Sequence, residues 1–315
     1  HALLEVEGDV AEPAKRSMQW LLDRQITDAP GDWRERRPEL AGGGWAFQYA
    51  NPYYPDLDDT AAVAWALARA RRPEDRPAIE RAANWLAGMQ SRNGGFGAYD
   101  VDNTYYYLNE IPFADHKALL DPPTADVSGR VLAFLAILDR EVDAPVRARL
   151  IQYLLREQEA SGAWFGRWGT NYIYGTWSVL MGLAEVRNPS AEVRDAMSRA
   201  AHWLRSVQQD DGGWGESNDS YADPGLAGLG QESNAAQTAW ACLGLMAAGD
   251  RDSESLRRGI DWLQRHQEQP GDWRDPYFNA PGFPRVFYLT YHGYKIYFPL
   301  WALARYRNLT ERHCV

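Results

Sequence analysis

The chain has 315 residues and a formal net charge of −10, with 14 Trp, 17 Tyr and two Cys. This length allows one large domain or two ordinary ones, and the charge argues against nucleic acid or an anionic membrane surface as an electrostatic partner, so any membrane contact has to be apolar. Two cysteines provide neither a disulfide framework nor a thiolate metal cluster, and no apolar run reaches the roughly 18 residues of a membrane-spanning helix. The many amphipathic rings suggest a structural repeat, a ring-lined cavity, or both.

One spacing recurs five times and marks predicted helix ends along the chain. In each copy an aromatic residue is followed five positions later by Gln and then by Gly-x-aromatic, and an amphipathic helix precedes the Gln. We expect the Gly to close the helix and the Gln amide to satisfy backbone groups left free at its end. The copies are Trp20, Gln25, Gly31, Trp33; Trp85, Gln90, Gly94, Phe96; Tyr153, Gln158, Gly162, Trp164; Trp203, Gln208, Gly212, Trp214; and Trp262, Gln267, Gly271, Trp273.

A more apolar helix follows each copy, and the five predicted spans are 58–71, 127–138, 172–186, 235–248 and 297–306. Polar helices that alternate with apolar ones predict an all-α fold, an α/α barrel with the apolar helices inside. Segment 3–9 is too short to supply a sixth inner helix, so the ring is expected to be incomplete. The long connections 99–123 and 215–232 are expected to be functional and to lie at the ends of the barrel.

Three carboxylates lie within four positions where the first apolar helix begins, at Asp56, Asp58 and Asp59. One interpretation is an acidic N-terminal cap, because the first helical turn has free N–H groups and a positive dipole end. The other is a proton donor, because like charges this close push at least one pKa upward and keep one carboxyl protonated at neutral pH. The stretch by itself leaves both interpretations open.

Together, the motifs resemble those of the triterpene cyclases. The five copies resemble the QW repeats of that family, and residues 56–61 resemble the DxDDTA motif of squalene-hopene cyclases. Residues 164–176 and 282–291 are similar to two further family signatures. The resemblance covers essentially the whole chain. It implies that residues 1–315 are a single α/α barrel domain equivalent to the C-terminal half of such an enzyme, without the N-terminal barrel domain that covers the other side of the cavity.

The resemblance also implies an activity and a location. The activity is acid-initiated polycyclisation of squalene, or of a related linear polyprene, to hopene- or hopanol-type triterpenes without a cofactor. The location is one leaflet at the cytoplasmic face of a bacterial membrane, contacted through an apolar surface. A homodimer is left open.

By resemblance, Asp58 protonates the terminal double bond, with Asp56 and Asp59 beside it. An alkene is a very weak base, so this acid has to be neutral, preorganised and dry. Asp126 resembles a further carboxylate of the site, and Arg130 stands one turn later, where some family members have a His. Because Arg keeps its charge, we expect Arg130 to hold Asp56 or Asp126 ionised while Asp58 keeps its proton.

Aromatic faces stabilise carbocations by up to about 2 kcal/mol or more each when desolvated, and they cannot quench a cation as water would. The resemblance places Trp168 and Tyr174 near the acid and assigns Phe283 and Phe287 to later cations. Phe113 resembles the constriction through which substrate enters from the membrane. The cation-stabilising candidates are Phe47, Tyr99, Trp168, Tyr174, Phe283, Phe287, Tyr291 and Tyr294.

Two other function classes stay open from the sequence. An α/α barrel glycosidase also uses paired carboxylates and exposed Trp, but its two carboxyl groups should face each other across a cleft. A non-catalytic helical scaffold, or a half-enzyme that needs its N-terminal domain, is the other alternative. No metal site is predicted, because segments 100–103 and 210–213 lack the Gly and Glu of an EF-hand and the His residues lack zinc spacing.

Overall fold

The protein is predominantly helical in a computed structural model, which describes residues 1–7, 12–28, 30–112, 119–268 and 271–311. The all-α prediction is confirmed. The helices are α1 Ala2–Glu7, α2 Glu12–Leu22, α3 Trp33–Arg36, α4 Leu57–Ala70, α5 Arg76–Gly88, α6 Ala125–Leu138, α7 Ala144–Arg156, α8 Tyr172–Ala184, α9 Ala191–Ser206, α10 Ala235–Ala247, α11 Glu254–Arg265 and α12 Tyr294–Glu311.

Three short antiparallel hairpins lie outside these helices. They pair β1 Trp45–Ala46 with β2 Pro55–Asp56, β3 Gln267–Glu268 with β4 Asp272–Trp273, and β5 Ala280–Phe283 with β6 Phe287–Leu289. Short 3-10 turns occupy Pro73–Asp75, Tyr106–Glu110, Glu141–Asp143, Asn218–Tyr221 and Pro224–Leu226.

The apolar helices form the inner layer that the sequence predicts. α4 packs on α6, α6 on α8, α8 on α10 and α10 on α12, while α5, α7, α9 and α11 each pack outside the inner helix that precedes them. Helices α6, α8 and α10 are buried on nearly every side, which explains why their sequences are apolar throughout rather than amphipathic. The last inner helix begins three residues earlier than predicted and continues through Pro299.

The short helix α1 lies where the sequence analysis expected a gap. It packs on α12, and the His1 ring stacks on Trp301 of that helix at a centroid distance of 4.9 Å. Glu5 Oε1 pairs with Arg69 Nη2 of α4 at 2.5 Å and with Arg305 Nη2 of α12 at 2.6 Å. Segment 3–9 is too short for a full inner helix, but α1 bridges the first and last inner helices.

The Gln side chains of the repeat join one hairpin of helices to the next. Gln158 Nε2 donates to Gly162 O of its own turn and to Ala196 O of the following outer helix, both at 2.8 Å. Trp164 Nε1 closes the same unit by donating to Leu154 O at 2.7 Å. Gly162 has a φ of 98°, and Gly94, Gly212 and Gly271 have φ values of 94°, 97° and 107°. This conformation favours glycine and explains the Gly in the last four copies.

The first copy of the repeat was assigned wrongly from the sequence. Gln25 Nε2 donates to Gly43 O, and the indole that donates back to the preceding helix is that of Trp45, at 2.6 Å from Leu21 O. Trp45 therefore takes the place that the sequence analysis gave to Trp33. An insertion between Gln25 and Gly43 carries Gly31 and Trp33, which by chance reproduce the spacing.

Among the described helices, none combines the length and the apolar character needed to cross a membrane.

Candidate active site

The acidic triad Asp56, Asp58 and Asp59 lies at the start of α4. Asp56 is the N-cap, and its Oδ1 accepts the Asp59 backbone N–H at 2.7 Å. Pairing of β2 with β1 fixes the backbone before the cap, and Leu57 N donates to Ala98 O at 2.7 Å. The capping interpretation is therefore correct for Asp56. Asp58 and Asp59 lie in the first turn of α4, and the helix does not use their side chains as its N-cap.

Burial makes all three carboxyls hard to ionise. It raises the pKa of Asp58 to about 7, assisted by the charges of Asp59 and Asp126 and opposed by that of Arg130. Burial and the two acidic neighbours raise the pKa of Asp56 well above its ordinary value, and burial also raises that of Asp59. The triad can therefore hold protons at neutral pH.

Arg130 pairs with the central acid rather than with its neighbours. Its Nε lies 3.2 Å from Asp58 Oδ1, and its Nη2 donates to the Tyr174 hydroxyl at 2.5 Å. The sequence analysis expected Arg130 to hold Asp56 or Asp126 ionised while Asp58 keeps its proton. The ion pair joins Arg130 to Asp58 instead, and which of the acids is ionised stays a prediction. Asp58 Oδ1 has no hydrogen-bond partner among the described residues, so the contact is an ion pair without aligned N–H geometry.

Asp126 is buried at the start of α6 and supports the aromatic wall. Its Oδ2 accepts the Trp168 backbone N–H at 2.8 Å, and its backbone carbonyl accepts the Ser178 hydroxyl at 2.6 Å. Asp126 therefore ties the loop that carries Trp168 to the helix that carries Arg130.

Six of the eight predicted aromatic residues line one cavity of about 680 Å³. The triad carboxylates do not line it, but Tyr99 does, and burial together with the charges of Asp56 and Asp59 raises the pKa of Tyr99. Phe47, Phe283 and Phe287 are 52%, 41% and 46% exposed, so the cavity is open on their side. The six residues are Phe47, Tyr99, Trp168, Phe283, Phe287 and Tyr291.

The other two predicted aromatic residues lie behind the triad. Tyr174 is buried against Arg130, and the Tyr294 ring packs on Tyr291 at a centroid distance of 4.8 Å with a tilt of 36°. Tyr294, Arg130 and Asp59 line a second cavity of about 600 Å³, which is mainly apolar. The triad thus lies between two cavities, with Tyr99 on one side and Arg130 on the other.

Sequence reasoning assigned no role to three further residues. Asp121 accepts the backbone N–H groups of Ala98, Tyr99 and Asp100 at 3.0, 2.6 and 3.1 Å, and so fixes Tyr99. Arg167 lines the 680 Å³ cavity, and the ring centroid of Trp177 lies 5.6 Å from the Arg130 guanidinium carbon. The sequence held a signal for two of them: Asp121 stands before two prolines, and Arg167 lies inside the family signature of residues 164–176. Phe113 lies outside the described residues.

Comparison with known proteins places this arrangement in a family. The model of the "Squalene-hopene cyclase C-terminal domain" matches residues 1–308. The chain belongs to this family. The chain is also 54% identical to the squalene-hopene cyclase of Zymomonas mobilis over 99% of its length, and 50% identical to that of Bradyrhizobium diazoefficiens over 98%. It spans about half the length of these relatives, 48% and 47% respectively.

Solved structures agree on the fold of the squalene-hopene cyclase C-terminal domain. The type II terpene cyclase MstE from Scytonema superposes with a TM-score of 0.65 at 16% identity, covering 98% of this chain and 86% of that one. The structural neighbours have α/α barrels, which confirms the predicted fold class. The glycosidase alternative also loses its geometric basis, because Asp56, Asp58 and Asp59 share one turn rather than facing each other across a cleft.

Proposed function

We propose that the chain is the catalytic half of a squalene-hopene cyclase and that Asp58 starts the cyclisation of squalene, or of a related linear polyprene, to hopene- or hopanol-type triterpenes. The observation that carries the proposal is a largely buried carboxyl, 19% exposed, whose pKa burial raises to about 7 and which pairs with Arg130. The charge of Asp58, with those of Asp59 and Asp56, acts on Tyr291 in the wall of the aromatic cavity. A group with this pKa is protonated in a large fraction of molecules at neutral pH and is still acidic enough to transfer the proton.

Arg130 and Asp56 act on this proton in opposite ways. The charge of Arg130 disfavours the neutral form of Asp58, so the protonated acid is a stronger donor than burial alone would leave it. Negative charge on Asp56 or Asp59 acts in the opposite direction and favours the protonated form of Asp58, while burial raises the pKa of both of these neighbours. Asp58 is the proton donor, and Asp56, Asp59, Asp126 and Arg130 tune and position it.

The aromatic residues stabilise the cation that follows protonation. Trp168 and Tyr99 meet edge to face at a centroid distance of 6.4 Å on the side of the triad, and Phe283 and Phe287 meet in the same way at 5.5 Å farther along the cavity. These rings offer π faces to a moving positive charge, and an aromatic face does not trap a cation as a nucleophile would. A variant of the neighbour MstE was solved with geranylgeranyl dihydroxybenzoate as its substrate, which supports a polyprene ligand for this fold.

A membrane location forms part of the proposal. Exposed rings at Tyr105, Tyr106 and Tyr107, together with Ile111, offer an apolar and aromatic surface suited to one leaflet. We assign the cytoplasmic face of a bacterial membrane, with Phe113 at the substrate entrance, and we treat residues 1–315 as a single domain. A homodimer is an open prediction that no contact tests.

Squalene conversion by the purified chain, followed by gas chromatography and mass spectrometry, tests the function. We expect cyclised triterpene from the wild type and from an Asp252→Asn control, whose residue is exposed just before α11, away from the cavity. We expect none from Asp58→Asn, because its amide has no acidic proton. Equal conversion by the Asp58→Asn variant would contradict the assignment.

One alternative has an observation in its favour. The chain spans about half of its relatives, and three rings of the cavity wall are exposed, which fits a half-enzyme that needs the rest of such a protein to seal the cavity. Conversion that appears only when the remaining half of the Zymomonas mobilis relative is added, and that still depends on Asp58, would support this alternative.

A further inference from the structure

Arg167 is a buried cation that forms no ion pair with any residue the structure describes. Arg167 is 7% exposed, and its Nη1 atom has no hydrogen-bond partner among the described residues. Its contact is with a ring, since the guanidinium carbon lies 4.7 Å from the centroid of Trp168. Buried charges in proteins are ordinarily paired, and a cation–π contact offsets only part of the desolvation cost. Within the described part of the chain, the guanidinium therefore has no anionic partner.

The loop around Arg167 is held rigidly, so the guanidinium is presented in a fixed place. The Tyr221 hydroxyl lies 2.8 Å from both Gly166 O and Gly169 O, and Trp168 N donates to Asp126 at 2.8 Å. Two buried carboxylates of this region accept backbone N–H groups: Asp126 Oδ2 accepts Trp168 N, and Glu216 accepts the N–H groups at the start of α8, while Asp126 Oδ1 has no hydrogen-bond partner among the described residues. Neither is paired with Arg167.

The surroundings of Arg167 narrow the chemistry of the missing anion. Arg167 is the one basic residue among the described residues that line the 680 Å³ cavity, and most of the remaining wall is aromatic or aliphatic, with three side-chain amides. Three acidic side chains also line it, at Asp32, Asp100 and Asp121, and they disfavour a group with several negative charges. A guanidinium presents paired donors that match the two oxygens of a carboxylate. A singly charged carboxylate on an apolar chain fits best.

We propose that Arg167 is a carboxylate-binding subsite, which allows the cavity to take a linear polyprene that ends in a carboxylate. This inference shares one assumption with the proposed function, namely that the same cavity receives a polyprene. It does not depend on proton transfer by Asp58. Squalene has no group that could meet the guanidinium, so the subsite extends the range of ligands beyond a pure hydrocarbon.

Binding of sodium farnesoate and of farnesol to the purified chain tests the subsite, with intrinsic Trp fluorescence as the readout. The two probes share one hydrocarbon chain and differ in the charged end. We expect farnesoate to bind about tenfold more tightly than farnesol to the wild type, and the two to bind about equally to Arg167→Met. Arg167→Lys should keep part of the preference, and Arg92→Met, a change at a largely exposed arginine, should keep all of it.

Circular dichroism and the melting temperature establish that each variant is folded. Equal affinity of the two probes for the wild type, no binding of farnesoate, or a preference that survives in Arg167→Met would overturn the proposal. Squalene conversion on the same preparations keeps the two proposals apart. Selective farnesoate binding without conversion would count against the cyclase function alone, and conversion without selective binding would count against the subsite alone.

Discussion

Replacing Arg130 by Leu removes the charge that opposes protonation of Asp58. The separation of 3.2 Å between Arg130 Nε and Asp58 Oδ1 corresponds to about 5 kcal/mol at an effective dielectric constant of about 20. Delocalisation of the guanidinium charge and the exposure of the two side chains, 15% and 19%, reduce this energy. At about 1.36 kcal/mol per pKa unit, we expect the pKa of Asp58 to rise from about 7 to about 9.

Infrared difference spectroscopy measures this pKa through the C=O stretch of the protonated carboxyl. The spectrum of Asp58→Asn, recorded over the same pH range, serves as the reference that isolates the Asp58 band. Arg130→Lys is the matched control, because it keeps the positive charge, and its midpoint should stay closer to that of the wild type. A weaker acid should also convert squalene about ten- to a hundredfold more slowly. An unchanged or lower midpoint in Arg130→Leu would refute the reasoning.

Three further predictions concern stability, measured as the free energy of unfolding in urea. Burial raises the pKa of Asp58 from 3.8 to about 7, so the stability that protonated Asp58 contributes is complete below pH 3.8 and is lost as the pH rises through 7. Asp58→Asn should therefore be more stable than the wild type by up to about 4 kcal/mol at pH 8, and this gain should shrink toward pH 5. No gain at pH 8 would contradict this prediction. Asp121→Ala leaves three backbone N–H groups without their acceptor and should cost roughly 3 kcal/mol, with a smaller loss in Asp121→Asn; equal losses would disagree. Gln158→Ala removes two hydrogen bonds between helical hairpins and should cost about 2 kcal/mol, whereas Gln152→Ala, exposed on α7, should cost little; similar values would argue against the bridging role.

The helical layers could be predicted because periodicity and burial agree in this chain. Helices α6, α8 and α10 are apolar on all sides because they are enclosed on all sides, and the Gln and Gly of each repeat perform local hydrogen bonding that their spacing already indicates. The first copy failed for the same reason, since a spacing rule cannot detect an insertion. The contacts of Trp45 with Leu21 and of Gln25 with Gly43 become visible only in three dimensions.

The site was predictable in its residue types and less so in its contacts. A cluster of three acids indicates a raised pKa whatever the fold, but which acid faces Arg130 depends on how α4 and α6 are rotated against each other. Asp121 and Arg167 escaped notice for a related reason. Asp121 matters because it binds backbone groups about 20 residues earlier in the chain, and Arg167 matters because its Nη1 has no hydrogen-bond partner among the described residues.

Cyclisation of squalene by the chain in D2O tests the central claim most directly. If the exchangeable proton of Asp58 starts the reaction, the cyclised triterpene should carry one deuterium from the solvent, detected as a mass increase of one, and Asp58→Asn should form no labelled product. Cyclised product without deuterium, or labelled product from Asp58→Asn in the same amount as from the wild type, would contradict the account.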